Sequence, residues 1–418
     1  MSKLRRAARF AAALYRARAA TGYHGYVRRD PIALLHLRPG RVNPYPIYAR
    51  LRAEGTLTPT RLGNWATTSY PVCDAVLRDR RFGVRPESPA APATAEQFNL
   101  SFLELNPPDH TRLRKLAAYA FTPRAVAGYA SRISSTVDRL LDRAGAAGGF
   151  DLVSGFAAPL PIAVITDLLG VPEAESADFA RYGTAIGSAL DGIKSLRHAR
   201  ELLHARAQLH AMFARLLELR RREPRDDLIG RLAAAEGEQI SPAEIVPMCN
   251  LLLVAGFETT VNLIGNAVLA LLGHPDQWKA LCADPETLAP RAVEETLRFD
   301  PPVQRTVRIA LEPLELAGTP VRKNQLVLTL LGAANRDPDV YDDPDTFRMD
   351  RENPAPHLAF SSGIHYCLGA PLARLEAAIA LRALSERMPG LTRTGPVRLR
   401  RGTTIRGPLH LPVAAGRW

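Results

Sequence analysis

Phe360-Ser361-Ser362-Gly363-Ile364-His365-Tyr366-Cys367-Leu368-Gly369-Ala370-Pro371-Leu372-Ala373-Arg374-Leu375-Glu376 is the stretch that decides how the chain is read. Leu368, Leu372, Leu375 and Ile379 recur at helical spacing, with the strong helix formers Ala373, Ala377, Ala378 and Ala380 between them. A loop carrying Gly363 therefore delivers Cys367 to the start of a helix. There the unpaired N–H groups and the positive dipole end favour the thiolate, the metal-binding form of cysteine. Gly363 and Gly369 leave room beside the sulfur for something large and flat. Taken by themselves, these residues leave three readings open. A lone cysteine is most often a small buried hydrophobe. It can also be a nucleophile activated by the helix terminus, or a metal ligand. Zinc is disfavoured, because no second cysteine lies at ligand spacing.

The chain has 418 residues and an ordinary hydrophobic content of 46%, enough for a sizeable core. Cys73, Cys249, Cys282 and Cys367 are scattered without a pairing pattern, which suits a reduced compartment. The net charge is +12 and the pI about 9.9. Only Lys3, Lys115, Lys194, Lys279 and Lys323 are lysines, so the excess is arginine. These arginines run along the whole chain without an aromatic-interleaved cluster, which argues against nucleic acid as partner.

Residues 1–29 hold no acidic residue and read as a basic N-terminal tail or helix. Their apolar run, Phe10 to Tyr15, is far short of the roughly 20 residues of a membrane span. A solvated helix is the preferred reading; a membrane-surface contact by residues 1–20 or a mitochondrial-type presequence are the alternatives. Residues 30–418 read as one unit, mainly α with small β regions. Short elements, including a two-stranded unit around Gly63-Asn64, are followed by a proline-rich loop over 84–105. Its apolar end (Phe98, Leu100, Phe102) suits a lid over an apolar ligand as well as ordinary packing. His110 and Arg114 then share a helix face and could clamp a carboxylate. Helical text fills 125–235.

Ser241-Pro242-Ala243-Glu244 is a capping box that opens a long helix running to Gly273-His274-Pro275. Its middle is apolar through Val254 and Ala255. Gly256, Glu258, Thr259 and Thr260 then break the helix rules, which is where function is expected. The plain alternative is a kinked helix with Glu258 reaching solvent. Glu295 and Arg298, at i and i+3, can pair. Val303 to Ala310 and Leu326 to Leu331 read as strand.

Together these patterns resemble the cytochrome P-450 superfamily. Phe360, Gly363, His365, Cys367 and Gly369 match its haem-binding signature, with Ser361 at a position that is commonly glycine. Ala255 to Thr260 resembles its oxygen-activation groove, and Glu295 with Arg298 its structural Glu-x-x-Arg pair. The resemblance covers roughly residues 40 to 415, with four motifs in order. It implies a triangular, helix-rich fold holding haem b (iron protoporphyrin IX) between the central helix and the cysteine loop. It also implies Cys367 as metal ligand and His110, Arg114, Arg308 and His365 around the propionates. Ala255, Phe360, Gly363 and Gly369 would lie against the cofactor. Glu258 and Thr259 would serve oxygen activation, while Phe98, Val254, Val303 and Gln304 would face the substrate.

The implied activity is insertion of one oxygen atom from O2 into a C–H or C=C bond of an apolar small molecule. No flavin or iron–sulfur motif occurs in the chain, so a separate ferredoxin or flavodoxin with its reductase is the implied electron donor. Arg112, Lys115 and Arg124 are candidates for its docking face. A haem-thiolate enzyme of oxidative coupling or peroxide-driven oxidation is one alternative, and a non-catalytic haem sensor or carrier another. The expected location is cytoplasmic; the alternatives are mitochondrial or peripheral-membrane, through the basic N-terminus.

Overall fold

Ser241 opens the central helix, Pro242–Gly273. The Glu244 carboxylate accepts hydrogen bonds from the Ser241 N–H (2.9 Å) and hydroxyl (2.8 Å). At ~1.5 Å per residue the helix is about 48 Å long, and Pro247 lies within it without ending it. Leu251, Leu252, Leu253 and Val254 are buried, as are Val261, Leu263, Ile264, Ala267 and Val268 further along. Burial around most of its circumference marks a core helix, and each large side chain contributes roughly 1.5–3 kcal/mol. The helix is long and apolar enough to cross a membrane, but 83% of its apolar window is buried inside the protein.

The computed structural model describes residues 3–416 except 62, 87–99, 147, 173–174, 194 and 353. Helices Pro159–Leu169, Ser176–Gly187, Pro285–Phe299 and Ala370–Arg387 pack on the central helix. Gly256 permits the close approach of Pro159–Leu169: a Cβ there would sit 2.9 Å from Ile165 Cδ1. The basic N-terminal stretch forms an α-helix, Lys3–Gly22, continued by one π-helical turn, Tyr23–Val27.

Among the described residues the small β regions are four. A five-stranded sheet has the spatial order Thr58–Pro59, Trp65–Thr67, Leu326–Thr329, Thr306–Ala310, Phe82–Gly83. Its first pair is the unit expected around Gly63-Asn64. Gly149–Asp151, Pro412–Ala415 and Leu391–Arg393 form a second sheet, and two two-stranded pairs complete the set. The strand expected through Leu331 stops at Thr329, because Leu331–Ala334 turns helical and the Gly332 N–H donates to the Gln304 carbonyl. These sheets hold Arg308 (on the fourth strand of the large sheet, opposite Val327) and the C-terminal hairpin Arg398–Leu399/Pro408–His410 against the helices.

Candidate active site

The cysteine loop is set by backbone geometry. Ser361 and Gly363 both have positive φ (64° and 67°). A Cβ on Gly363 would lie 2.4 Å from the Leu77 carbonyl oxygen. Glycine is thus required here by the neighbouring helix Tyr70–Arg78, not by anything beside the sulfur. The Cys367 N–H donates to the Phe360 carbonyl (2.8 Å), and the helix begins at Ala370, three residues past the cysteine. Burial pushes the Cys367 thiol above its ordinary pKa. The Gly369 N–H, Arg114, Arg374 and the Ala370 N–H oppose that rise. This corrects the expectation that the helix start alone would leave the thiol low; a Lewis-acidic partner is what would complete deprotonation. Among the described residues no three His, Cys, Asp or Glu side chains converge as ligands for an ion.

The four groups expected around the propionates do meet, although they come from three separated segments. His110 and Arg114 lie on helix Asp109–Ala118, Arg308 on strand Thr306–Ala310 and His365 in the cysteine loop. The His110 and His365 rings are 4.3 Å apart. Both ring nitrogens of His110, and Nε2 of His365, are buried with no hydrogen-bond partner. Burial, with Arg308, His110 and Arg114 nearby, drives His365 down to about 3. Burial, Arg114 and Arg308 likewise lower His110, and burial lowers Arg308 to about 10. Arg114 donates to the Tyr366 carbonyl at 2.6 Å, and Arg308 reaches Ser361 Oγ at 3.4 Å. Two guanidiniums beside buried imidazole nitrogens that have no partner call for an anionic group. The carboxylates of a haem beside a cysteine meet that requirement, so these residues fit the cofactor.

Phe360 is half-buried beneath the Arg374 guanidinium, 4.6 Å from its ring centre. Arg374 in turn pairs with Glu294 (2.7 Å). Glu295 and Arg298 form a buried pair at 2.6 Å. Arg298 also donates to the carbonyls of Asn335, Pro344 and Thr346, and Arg351 joins Glu295 at 3.0 Å. The pair pins the irregular segment that precedes the cysteine loop.

On the central helix, Ala255 is exposed and Thr259 half-exposed within an otherwise buried element, so this one face is open. The Thr259 hydroxyl donates to the Ala255 carbonyl at 2.8 Å, leaving its oxygen free to accept. Glu258 lies about a quarter-turn away. It is buried, and Arg400 Nη1 meets its carboxylate at 2.5 Å. Arg400 also donates from Nε to Asn262 Oδ1 (2.9 Å), whose amide donates to the Glu258 carbonyl (2.6 Å). No local motif marks Arg400; the only signal was that a buried acid needs a cation.

The expected pocket residues divide. Val303 bridges to Ile405 and is half-buried. Val254 is buried in the main core. Gln304 is buried as well, its amide donating to the Pro301 carbonyl (2.8 Å) and accepting from Tyr48 (3.2 Å). It therefore ties elements together instead of facing a ligand. Phe98 falls outside the described residues. Its neighbours Leu100 and Phe102 pack in the core, Phe102 edge-on to His110 at 6.3 Å. Of the expected docking residues, Lys115 and Arg124 are exposed. Arg112 is instead engaged by Glu244 (2.6 Å) and Asp109 (3.3 Å).

Comparison with known proteins agrees with this geometry. The sequence pattern of the family described as Cytochrome P450 matches residues 67–387. The chain is 43% identical to Cytochrome P450 monooxygenase PikC of Streptomyces venezuelae over 84% of this chain and 85% of that protein. It is 39% identical to the Biotin biosynthesis cytochrome P450 of Bacillus subtilis (84% and 90%). Among solved structures, ligand-free CYP164A2 of Mycobacterium smegmatis superposes with a TM-score of 0.85 at 41% identity, covering 92% of this chain and 99% of that one. The chain thus belongs to the cytochrome P450 superfamily, in its bacterial type, and is an oxidoreductase of the haem-thiolate monooxygenase class.

Proposed function

We propose that this chain binds haem b through the Cys367 sulfur and inserts one oxygen atom from O2 into a C–H or C=C bond of an apolar small molecule. The observation that carries the reading is the convergence of His110, Arg114, Arg308 and His365 beside the Cys367 loop, with three buried imidazole nitrogens left without a partner. When bound, a thiolate-ligated haem supplies dioxygen activation and the oxidising equivalent. The chain's own residues do the rest. The imidazoles and guanidiniums would hold the propionates, and Gly369 and Ala370 N–H groups face the sulfur and stabilise its charge. Thr259 keeps an acceptor oxygen on the open face of the helix, positioned to hold a proton donor there. Glu258, fixed by Arg400, places a carboxylate one residue away that can relay protons to it through water.

The oxygen atom that is not inserted leaves as water, on two electrons and two protons; the electrons come in this proposal from a ferredoxin, or a flavodoxin, with its reductase. Exposed Lys115 and Arg124 would meet its acidic surface. Residues 30–418 act as one catalytic unit in the cytoplasm, with 1–29 as a basic tail. Turnover under isotopically heavy dioxygen tests the reaction: one heavy oxygen atom should enter the product, and label arriving from water instead would refute the proposal. Thr259→Ala should raise peroxide release relative to product, and Thr259→Ser should restore the coupling.

A further inference from the structure

A cavity of about 570 Å³ opens between the short helix Arg38–Val42, the end of helix Ser176–Gly187 and the C-terminal hairpin, and it reaches the central helix at Glu258. That volume lies within the range of small-molecule sites. Its charge is one-sided: Arg38, Arg398, Arg400 and Arg401 line it, against Glu258 as the one acid. Arg400 is committed to Glu258. Among the described residues, Arg38, Arg398 and Arg401 make no ion pair, and all three are exposed. Arg406, in the same hairpin, is by contrast neutralised by Asp300 at 2.9 Å. Gathering like charges around a concavity focuses their field and concentrates anions there.

The same rim is apolar in a way a solvated charge patch is not. Val42 is 54% exposed and Leu409 39% exposed, and both line the cavity together with buried Ile405. Ile405 bridges to Val303. Apolar wall and unpaired guanidiniums together match an amphiphile: an aliphatic body with one anionic end. A guanidinium fork suits a carboxylate by geometry as well as charge. A cationic ligand is excluded by the same field.

We infer that this cavity selects an apolar substrate bearing a terminal carboxylate, held at the mouth by Arg38, Arg398 and Arg401 with its apolar body directed inward past Glu258. The inference rests on the oxygenase reading of the Thr259 face, and names the substrate class for it.

Three probes with one aliphatic body test it on the haem-loaded protein: dodecanoic acid, its methyl ester and dodecylamine. Affinity is read both from the Soret shift and by calorimetry, at low and high salt. The acid should bind roughly tenfold or more tightly than the ester or the amine, as charge-assisted hydrogen bonds allow. High salt should erase that advantage. The double variant Arg38→Glu with Arg401→Glu should remove the preference for the acid while leaving the ester's affinity in place. An acid that binds no better than the ester overturns the inference, as does a double variant that weakens both alike. Calorimetry needs no haem signal, and a carbon-monoxide difference spectrum on the same sample reports the haem-thiolate state separately. Failure of the cavity inference and failure of the oxygenase reading are therefore told apart.

Discussion

The imidazole rings of His110 and His365 lie 4.3 Å apart, their planes inclined at 52°, inside a pocket that also holds Arg114 and Arg308. Without an anion among them these groups destabilise one another; with one, each becomes a donor to it. Replacing His110 by phenylalanine keeps the shape and removes two unpartnered nitrogens. His110→Phe should stabilise the cofactor-free protein by about 1–3 kcal/mol and speed haem release from the loaded protein. Denaturant unfolding of each form, and haem transfer to an acceptor protein, measure the two effects. Destabilisation of both forms would remove the clamp role.

Ser361 holds a left-handed backbone (φ 64°) at a position where the resembled signature commonly has glycine. Its hydroxyl receives only a long contact from Arg308, 3.4 Å. Ser361→Gly should therefore raise stability by about 1 kcal/mol through relief of backbone strain. Chemical unfolding of the haem-loaded pair checks this, and a loss of stability would show that the Arg308 contact outweighs the strain.

Glu295 is buried with Arg298 and Arg351 on it. Glu295→Gln leaves two guanidiniums short of charge in a dry site. Breaking a buried pair from one side costs roughly 3–5 kcal/mol. The expected readout is a large fall in urea midpoint with an unchanged unfolding slope. A change under 1 kcal/mol, which is the range of an exposed pair, would contradict the structural role.

Glu294 differs because it titrates. Burial works to raise its carboxyl, but His357 and Arg374 win and hold it at about 2, below its ordinary 4.5. A depressed folded value means that the pair's stabilisation is complete above about pH 4.5 and is lost as pH falls toward 2. Glu294→Gln should flatten that acid limb of the stability–pH curve while changing little of its shape above pH 6. A wild-type curve already flat between pH 5 and 2.5 would contradict it.

Much of this was legible locally. The Ser241 capping box, the apolar run before Gly256 and the spacing around Cys367 are signals carried by neighbours in sequence, and the helices and loop stand where they point. Two kinds of feature were not legible. Long-range partners carry no local mark: Arg400 finds Glu258 across the C-terminal hairpin, and Tyr48 claims Gln304 for the framework. Reasons can also differ where residues agree. Gly363 was expected to make room for a flat group and is instead pressed against the Leu77 carbonyl. The helix start was expected to lower the Cys367 thiol, yet burial outweighs its N–H groups. Local pattern placed the sulfur, and the packed environment decides its charge.

The most direct measurement is the difference spectrum of the reduced protein with and without carbon monoxide, for wild type and Cys367→Ala, each supplied with haem and shown to be folded. The strongly red-shifted Soret band of a thiolate-ligated haem is expected in the wild type and absent from the variant. A wild-type protein that binds haem without that band, or a Cys367→Ala variant that retains it, would contradict Cys367 as the axial ligand.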